Sequence, residues 1–125
     1  MSKKPVGIVI VSHIPEIAAG LATLLKEAAK DVSITYAGGT DDGEVGTSFD
    51  KMNAAIAENE ADDLFAFYDL GSAKMNLEMA MEMSDKYIRL MDTAFVESAY
   101  TAAALIQADA ELEEILKQLE PLKVK

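Results

Sequence analysis

Val6-Gly7-Ile8-Val9-Ile10-Val11-Ser12-His13-Ile14-Pro15-Glu16-Ile17 governs the reading of the rest of the chain, because its character changes halfway along. Val6, Ile8, Val9, Ile10 and Val11 are β-branched and almost uninterrupted, which suits a strand buried on both faces. The run stops at Ser12-His13. Pro15 has a fixed φ and no N–H to lose, so it suits a first helical turn, and Ile17, Leu21, Leu24, Leu25 and Ala28 follow at helical spacing as the expected inner face. His13, the only histidine, therefore falls between a buried strand and a helix start.

Further along, Lys30-Asp31 marks a turn and Val32 to Tyr36 alternates as a second strand. Gly38 to Gly46 is a long connection rich in Gly and Asp, of the kind that is functional or mobile. Thr47 or Ser48 can cap a second helix with Phe49, Met52 and Ile56 inward, and Asn59 to Asp62 ends it. Leu64 to Tyr68 is a third strand, running into Asp69-Leu70-Gly71-Ser72-Ala73. The next helix carries a stripe of Met75, Met79 and Met83 beside another of Leu77, Ala80, Met81 and Ser84, which reads either as a partner contact or as an irregular core. Tyr87 to Met91 makes a fourth strand, and a helix runs from about Glu97 to Gln107. Asp109 is expected to cap a last helix with Leu112, Ile115, Leu116 and Leu119 inward, ended by Pro121.

Strands that alternate with helices become parallel, so the order predicts an α/β fold: a three-layer, doubly wound, mainly parallel sheet of order 2-1-3-4 with helices on both faces. With no linker and no internal repeat, residues 1–125 are expected to form a single domain. In this order the first and third strands are neighbours, and ligands sit outside their carboxyl ends. His13 and Asp69 occupy those ends.

Composition narrows the chemistry. The chain has no cysteine, which removes thiol catalysis, Cys-ligated metals and disulfides and fits a reducing cytosol. Eleven basic residues against 22 acidic ones give a net charge of −11, which repels nucleic acid and anionic membrane and favours either simple solubility or a basic protein partner. The N-terminal apolar run is too short for a signal peptide or a membrane span, so a cytoplasmic protein is expected. Arg89 is the sole arginine, so paired guanidinium forks for a small phosphorylated substrate cannot be built from one chain.

A histidine oriented by a carboxylate can act as base, metal ligand or nucleophile. A lone histidine with acids is weak ligand chemistry for zinc, Asp41 to Glu44 lacks EF-hand spacing, and no bound metal is expected. A Ser12–His13–Asp69 triad is nominally available, but neighbours on a strand end are expected to point apart, and no G-x-S-x-G elbow exists. Phosphate-loop motifs are missing, so no nucleotide site is expected in this chain. What remains is attack by imidazole on a phosphoryl group, with backbone N–H donors from Gly38, Gly39 and Thr40, from Gly71 and Ser72, and from the first helix start taking the place of arginines. The plainer alternatives stay open on position alone: His13 as a structural or solvent-facing residue, and Asp69 as a helix cap.

Gly7 to His13 with Ala19-Gly20-Leu21, Ala37 to Ser48, and Tyr68 to Ala73 with Met75-Asn76 together resemble the phosphoryl-carrier subunits of phosphoenolpyruvate-dependent dihydroxyacetone kinases, more distantly the mannose-type enzyme IIA domains of the sugar phosphotransferase system. Three separated loop motifs agree in order and spacing over nearly the whole chain. Ile14-Pro15 and Phe95 to Ala99 are less typical, which bears on partner contacts. The resemblance implies that His13 accepts a phosphoryl group on Nε2 from the phosphocarrier protein HPr while Asp69 holds Nδ1–H. It also implies transfer to ADP held on a nucleotide-binding subunit, which phosphorylates dihydroxyacetone on a third subunit, and a homodimeric carrier that binds no cofactor itself. With no further carrier domain after Lys125, HPr is expected in trans. Two other readings compete: a mannose-type IIA domain serving a sugar permease, and a non-catalytic flavodoxin-like interaction domain with the Met-rich helix as its contact surface.

Overall fold

The computed structural model describes residues 4–125. Its strands are β1 (Val6–Ser12), β2 (Ile34–Gly38), β3 (Asp63–Tyr68) and β4 (Tyr87–Met91), and its helices α1 (Pro15–Ala28), α2 (Phe49–Glu58), α3 (Lys74–Glu82), α4 (Phe95–Gln107) and α5 (Leu112–Leu119). Strand order is β2-β1-β3-β4, with every pairing parallel, as the alternating pattern predicts. The register sets Ser12 opposite Gly38 and Val11 opposite Tyr68. The carboxyl ends of the central strands and of β2 are thereby level, and the residues that follow them share one rim.

Successive side chains of β1 enter different cores because a strand alternates its faces. Ile8 and Ile10 join Phe65 and Phe67 under α1, α4 and α5, whereas Val9 and Val11 join Leu64, Ala66 and Tyr68 under α2 and α3. Both faces are covered, which makes this a three-layer sandwich. Asn59 fastens the opposite rim: its side-chain amide donates to the carbonyls of Ile8 (3.0 Å) and Ser33 (3.1 Å), and a Cβ on Gly7 would lie 2.3 Å from its Oδ1.

Several sequence expectations need correction. Helix α1 turns Ala18, Leu21, Ala22 and Leu25 to the core and leaves Ile17 and Leu24 about half exposed. The small Ala18 wins because the helix comes close to β2: a Cβ on Gly38 would lie 2.8 Å from the Ala18 Cβ. Strand β2 lies two residues later than the alternation suggests, since its pairing with β1 runs on to Gly38. In α5 only Ile115 and Leu119 of the expected four are buried, because an eight-residue helix on the outer edge presents a narrow stripe. Asp109 does not cap α5. It sits at φ 62° and ends α4, with its N–H on the Ile106 carbonyl (3.0 Å) and that of Ala110 on Leu105 (3.0 Å), a Schellman arrangement. Met75, Met79 and Met83 are exposed, so the filling of an irregular core is not their role. Ser48 does cap α2, accepting from the Lys51 N–H at 3.1 Å.

Candidate active site

Strand β1 delivers His13 to the rim and β3 delivers Asp69 beside it. The Asp69 Oδ2 accepts the Ser12 hydroxyl (2.8 Å) and the His13 backbone N–H (2.9 Å), while Oδ1 bonds His13 Nδ1 (2.8 Å) and accepts the Leu70 N–H (2.7 Å). Burial alone would raise the Asp69 pKa, but these hydrogen bonds outweigh it and hold the carboxyl below its ordinary range. An ionised carboxylate only accepts, so the proton of a neutral imidazole must sit on Nδ1, leaving a lone pair on Nε2. Ser72 Oγ lies 2.7 Å from that nitrogen and can donate to it. The imidazole is therefore held in one tautomer with its second nitrogen toward an exposed serine. The His13 side chain keeps 15% of its surface exposed.

Asp69 is thus no helix cap. The following 3-10 turn, Gly71–Ala73, has Leu70 at its N-cap and no side-chain cap bond. Its first N–H groups, those of Gly71 and Ser72, have no carbonyl to bond within the turn and stand on the same element as the Ser72 hydroxyl. At the other side the arrangement differs from expectation. Gly38 lies within the β1–β2 ladder, the Gly39 N–H donates to the Ser12 carbonyl (3.2 Å) and the Thr40 N–H to the Glu44 carbonyl (2.9 Å). Donors at 39 and 40 are spent inside the fold, because Gly39 makes a turn at φ 78° and the 40–44 segment folds back on itself. Gly46 N–H also bonds the His13 carbonyl (2.9 Å), so the glycine-rich loop is tied to the histidine through its backbone rather than left loose.

Ser12 and His13 do not point apart as strand alternation predicts, since both bond Asp69. Alternation ceases at Ser12, where β1 ends and the Ile14 N–H folds back onto the Ser12 Oγ at 3.1 Å. Ser12 and His13 can then both reach one carboxylate. Fully buried and bonded to Asp69 rather than to the imidazole, Ser12 is arranged as a support and not as a nucleophile. Beyond Asp69, the Tyr68 hydroxyl donates to Asp92, which also pairs with Lys74 at 3.2 Å, and Lys125 reaches the Tyr68 and Asp69 carbonyls. Asp92 follows β4 as Asp69 follows β3, a parallel visible in the sequence; Lys125 has no comparable local signal. Among the described residues no group of three or more His, Asp or Glu side chains could hold a metal ion, and no helix is long and apolar enough to cross a membrane.

Comparison with known proteins puts this parallel 2-1-3-4 sheet, with a carboxylate-held histidine at its switch point, in a class of phosphotransferase-system domains: the chain belongs to the EIIA-man family, described as the PTS system fructose IIA component, whose pattern matches residues 7–116. Within it, the chain is 53% identical over 118 residues to the PTS-dependent dihydroxyacetone kinase, phosphotransferase subunit DhaM, of Lactococcus lactis, covering 94% of this chain and 96% of that one. It is 52% identical over 122 residues to the PEP-dependent dihydroxyacetone kinase 1, phosphoryl donor subunit DhaM, of Listeria innocua, covering 98% of each. Among solved structures, EF1359, a protein of unknown function, superposes with a TM-score of 0.82 at 29% identity, over all of this chain and 98% of the other.

Proposed function

We propose that this chain is the phosphoryl donor subunit of a phosphoenolpyruvate-dependent dihydroxyacetone kinase and that His13 carries the phosphoryl group. The observation that carries the reading is the held tautomer: Asp69 fixes Nδ1–H at 2.8 Å, and Nε2 faces outward beside Ser72. In the loading step the Nε2 lone pair attacks the phosphorus of a donor phosphohistidine. The N–P bond to the donor breaks as the bond to Nε2 forms, and the donor imidazole leaves with the electron pair. The Nδ1 proton stays between His13 and Asp69, which offsets the positive charge developing on the ring. Ser72 gives up its contact with Nε2, and its hydroxyl, with the N–H groups of Gly71 and Ser72, takes the phosphoryl oxygens. The reverse displacement, with an ADP oxygen as nucleophile, hands the group on.

Phosphoryl transfer asks for positioning and charge compensation rather than covalent machinery, so a domain with one nucleophile and no nucleotide loop suffices when its partners bring the substrates. HPr is the proposed donor, and the nucleotide-binding subunit that carries ADP for the dihydroxyacetone-binding subunit is the proposed acceptor. Leu70 and Met75, both largely exposed on the segment that bears Ser72, give such partners an apolar landing beside His13. The exposed Met79 in α3 and Met83 just past its end support a homodimer or partner contact, and the whole reading puts the protein in the cytoplasm. Reconstitution tests it. With phosphoenolpyruvate, enzyme I, HPr and the two other kinase subunits, dihydroxyacetone phosphate should form only when this chain is added. A system that runs equally without it, or one in which it instead supports sugar uptake through a permease, would refute the assignment.

A further inference from the structure

We infer that Lys125 is a positioning residue of the phosphoryl site: its ammonium clamps the main chain from which Asp69 projects and brings a positive charge to the rim, an inference that rests on His13 as the acceptor. Its Nζ donates to the carbonyls of Tyr68 and Asp69, the latter at 3.3 Å, and lies 4.1 Å from the centroid of the Tyr68 ring. These contacts join the end of β3 to the residue that holds the imidazole.

The lysine is aimed by its backbone. Thr93 and Lys123 form an antiparallel bridge, the Ala94 N–H bonds the Leu122 carbonyl at 2.8 Å, and the N–H groups of Val124 and Lys125 share the Asp92 carbonyl at 3.1 and 3.3 Å. The segment is therefore strapped along the carboxyl end of β4, and its last described side chain spans to the neighbouring strand. With its reach fixed in this way, the ammonium forfeits less entropy than a free surface lysine would in holding the same geometry.

Three other cations have partners of their own. Arg89 pairs with Asp63, the first residue of β3, at the opposite rim; Lys51 donates to the Gly38 carbonyl at 3.0 Å; Lys74 pairs with Asp92. Loading His13 places a dianionic group beside the ionised Asp69 in a chain of net charge −11. Lys125, whose Nζ reaches the Asp69 main-chain carbonyl, brings an ammonium toward that charge. Burial holds the Lys125 pKa below its ordinary 10.5, and the charges of Asp69 and Asp92 offset only part of that.

The test compares the wild-type chain with K125M and K125R, each loaded by phosphorylated HPr. The K125M protein should acquire phosphate about tenfold more slowly and lose it by hydrolysis faster, as when a supporting partner of a reactive group is removed. K125R, which keeps the charge, should recover most of both, and the 31P shift of the phosphohistidine should move in K125M and return in K125R. Should K125M fail to fold, K125Q carries the same comparison, with thermal unfolding recorded for every variant. A K125M chain with wild-type rate, lifetime and 31P shift would overturn the inference while leaving His13 as carrier, and so would a K125R chain as impaired as K125M. A wild-type chain that takes no phosphate removes both.

Discussion

Asp69 concentrates four hydrogen bonds on one carboxylate: from the Ser12 hydroxyl, the His13 N–H and ring, and the Leu70 N–H. Each favours the ionised form, and the net effect is a pKa below the ordinary 3.8. A carboxyl depressed in the folded state contributes stability above its unfolded pKa and loses it as pH falls through the folded value. The melting temperature of the wild type should therefore exceed that of D69N by the largest margin above about pH 4, and the gap should close as pH falls below 3.8, a comparison that thermal unfolding across pH checks. On function, D69N should acquire phosphate roughly 100-fold more slowly, because an amide no longer dictates which ring nitrogen holds the proton. Rapid-quench loading from phosphorylated HPr measures it; a loss under threefold would show that Asp69 does not orient the ring.

The elements that carry the site were legible where burial on both faces leaves a continuous apolar run, as in β1 and β3. They were less legible where small residues make the contact. Ala18 and Ala22 carry little apolar weight in a pattern, yet they are what allow α1 to approach Gly38, so the sequence pointed to Ile17 and Leu24 instead. Ser12 and His13 share one carboxylate instead of pointing apart because strand alternation stops at Ser12, the last residue of β1. Lys125 gave no signal, since its partners at 68 and 69 are brought to it only by the packing of β3 beside β4. Two substitutions check the element ends. S48A removes the N-cap of α2 and should cost about 1 kcal/mol, seen as a lower denaturation midpoint. D109G should stabilise by roughly 0.5–1 kcal/mol, because glycine adopts the left-handed conformation at φ 62° without penalty and the exposed Lys4 pair contributes little.

At the scale of the whole molecule, the sheet places His13 at a rim bordered by exposed Leu70 and Met75, while Met79 in α3 and Met83 just past its end extend an apolar strip. Such a strip on an otherwise acidic surface is expected to be covered by protein. Sedimentation should find a homodimer, and M79E with M83E should either weaken that dimer or raise the concentration of kinase subunits needed for half-maximal turnover. No change in either quantity would leave the methionines without a role in assembly. The account as a whole is tested most directly by incubating the chain with phosphoenolpyruvate, enzyme I and HPr and mapping the modified residue by mass spectrometry under alkaline conditions. It predicts one acid-labile phosphate on His13, absent from a folded H13A protein. Phosphate on another residue, or undiminished labelling of H13A, would contradict it.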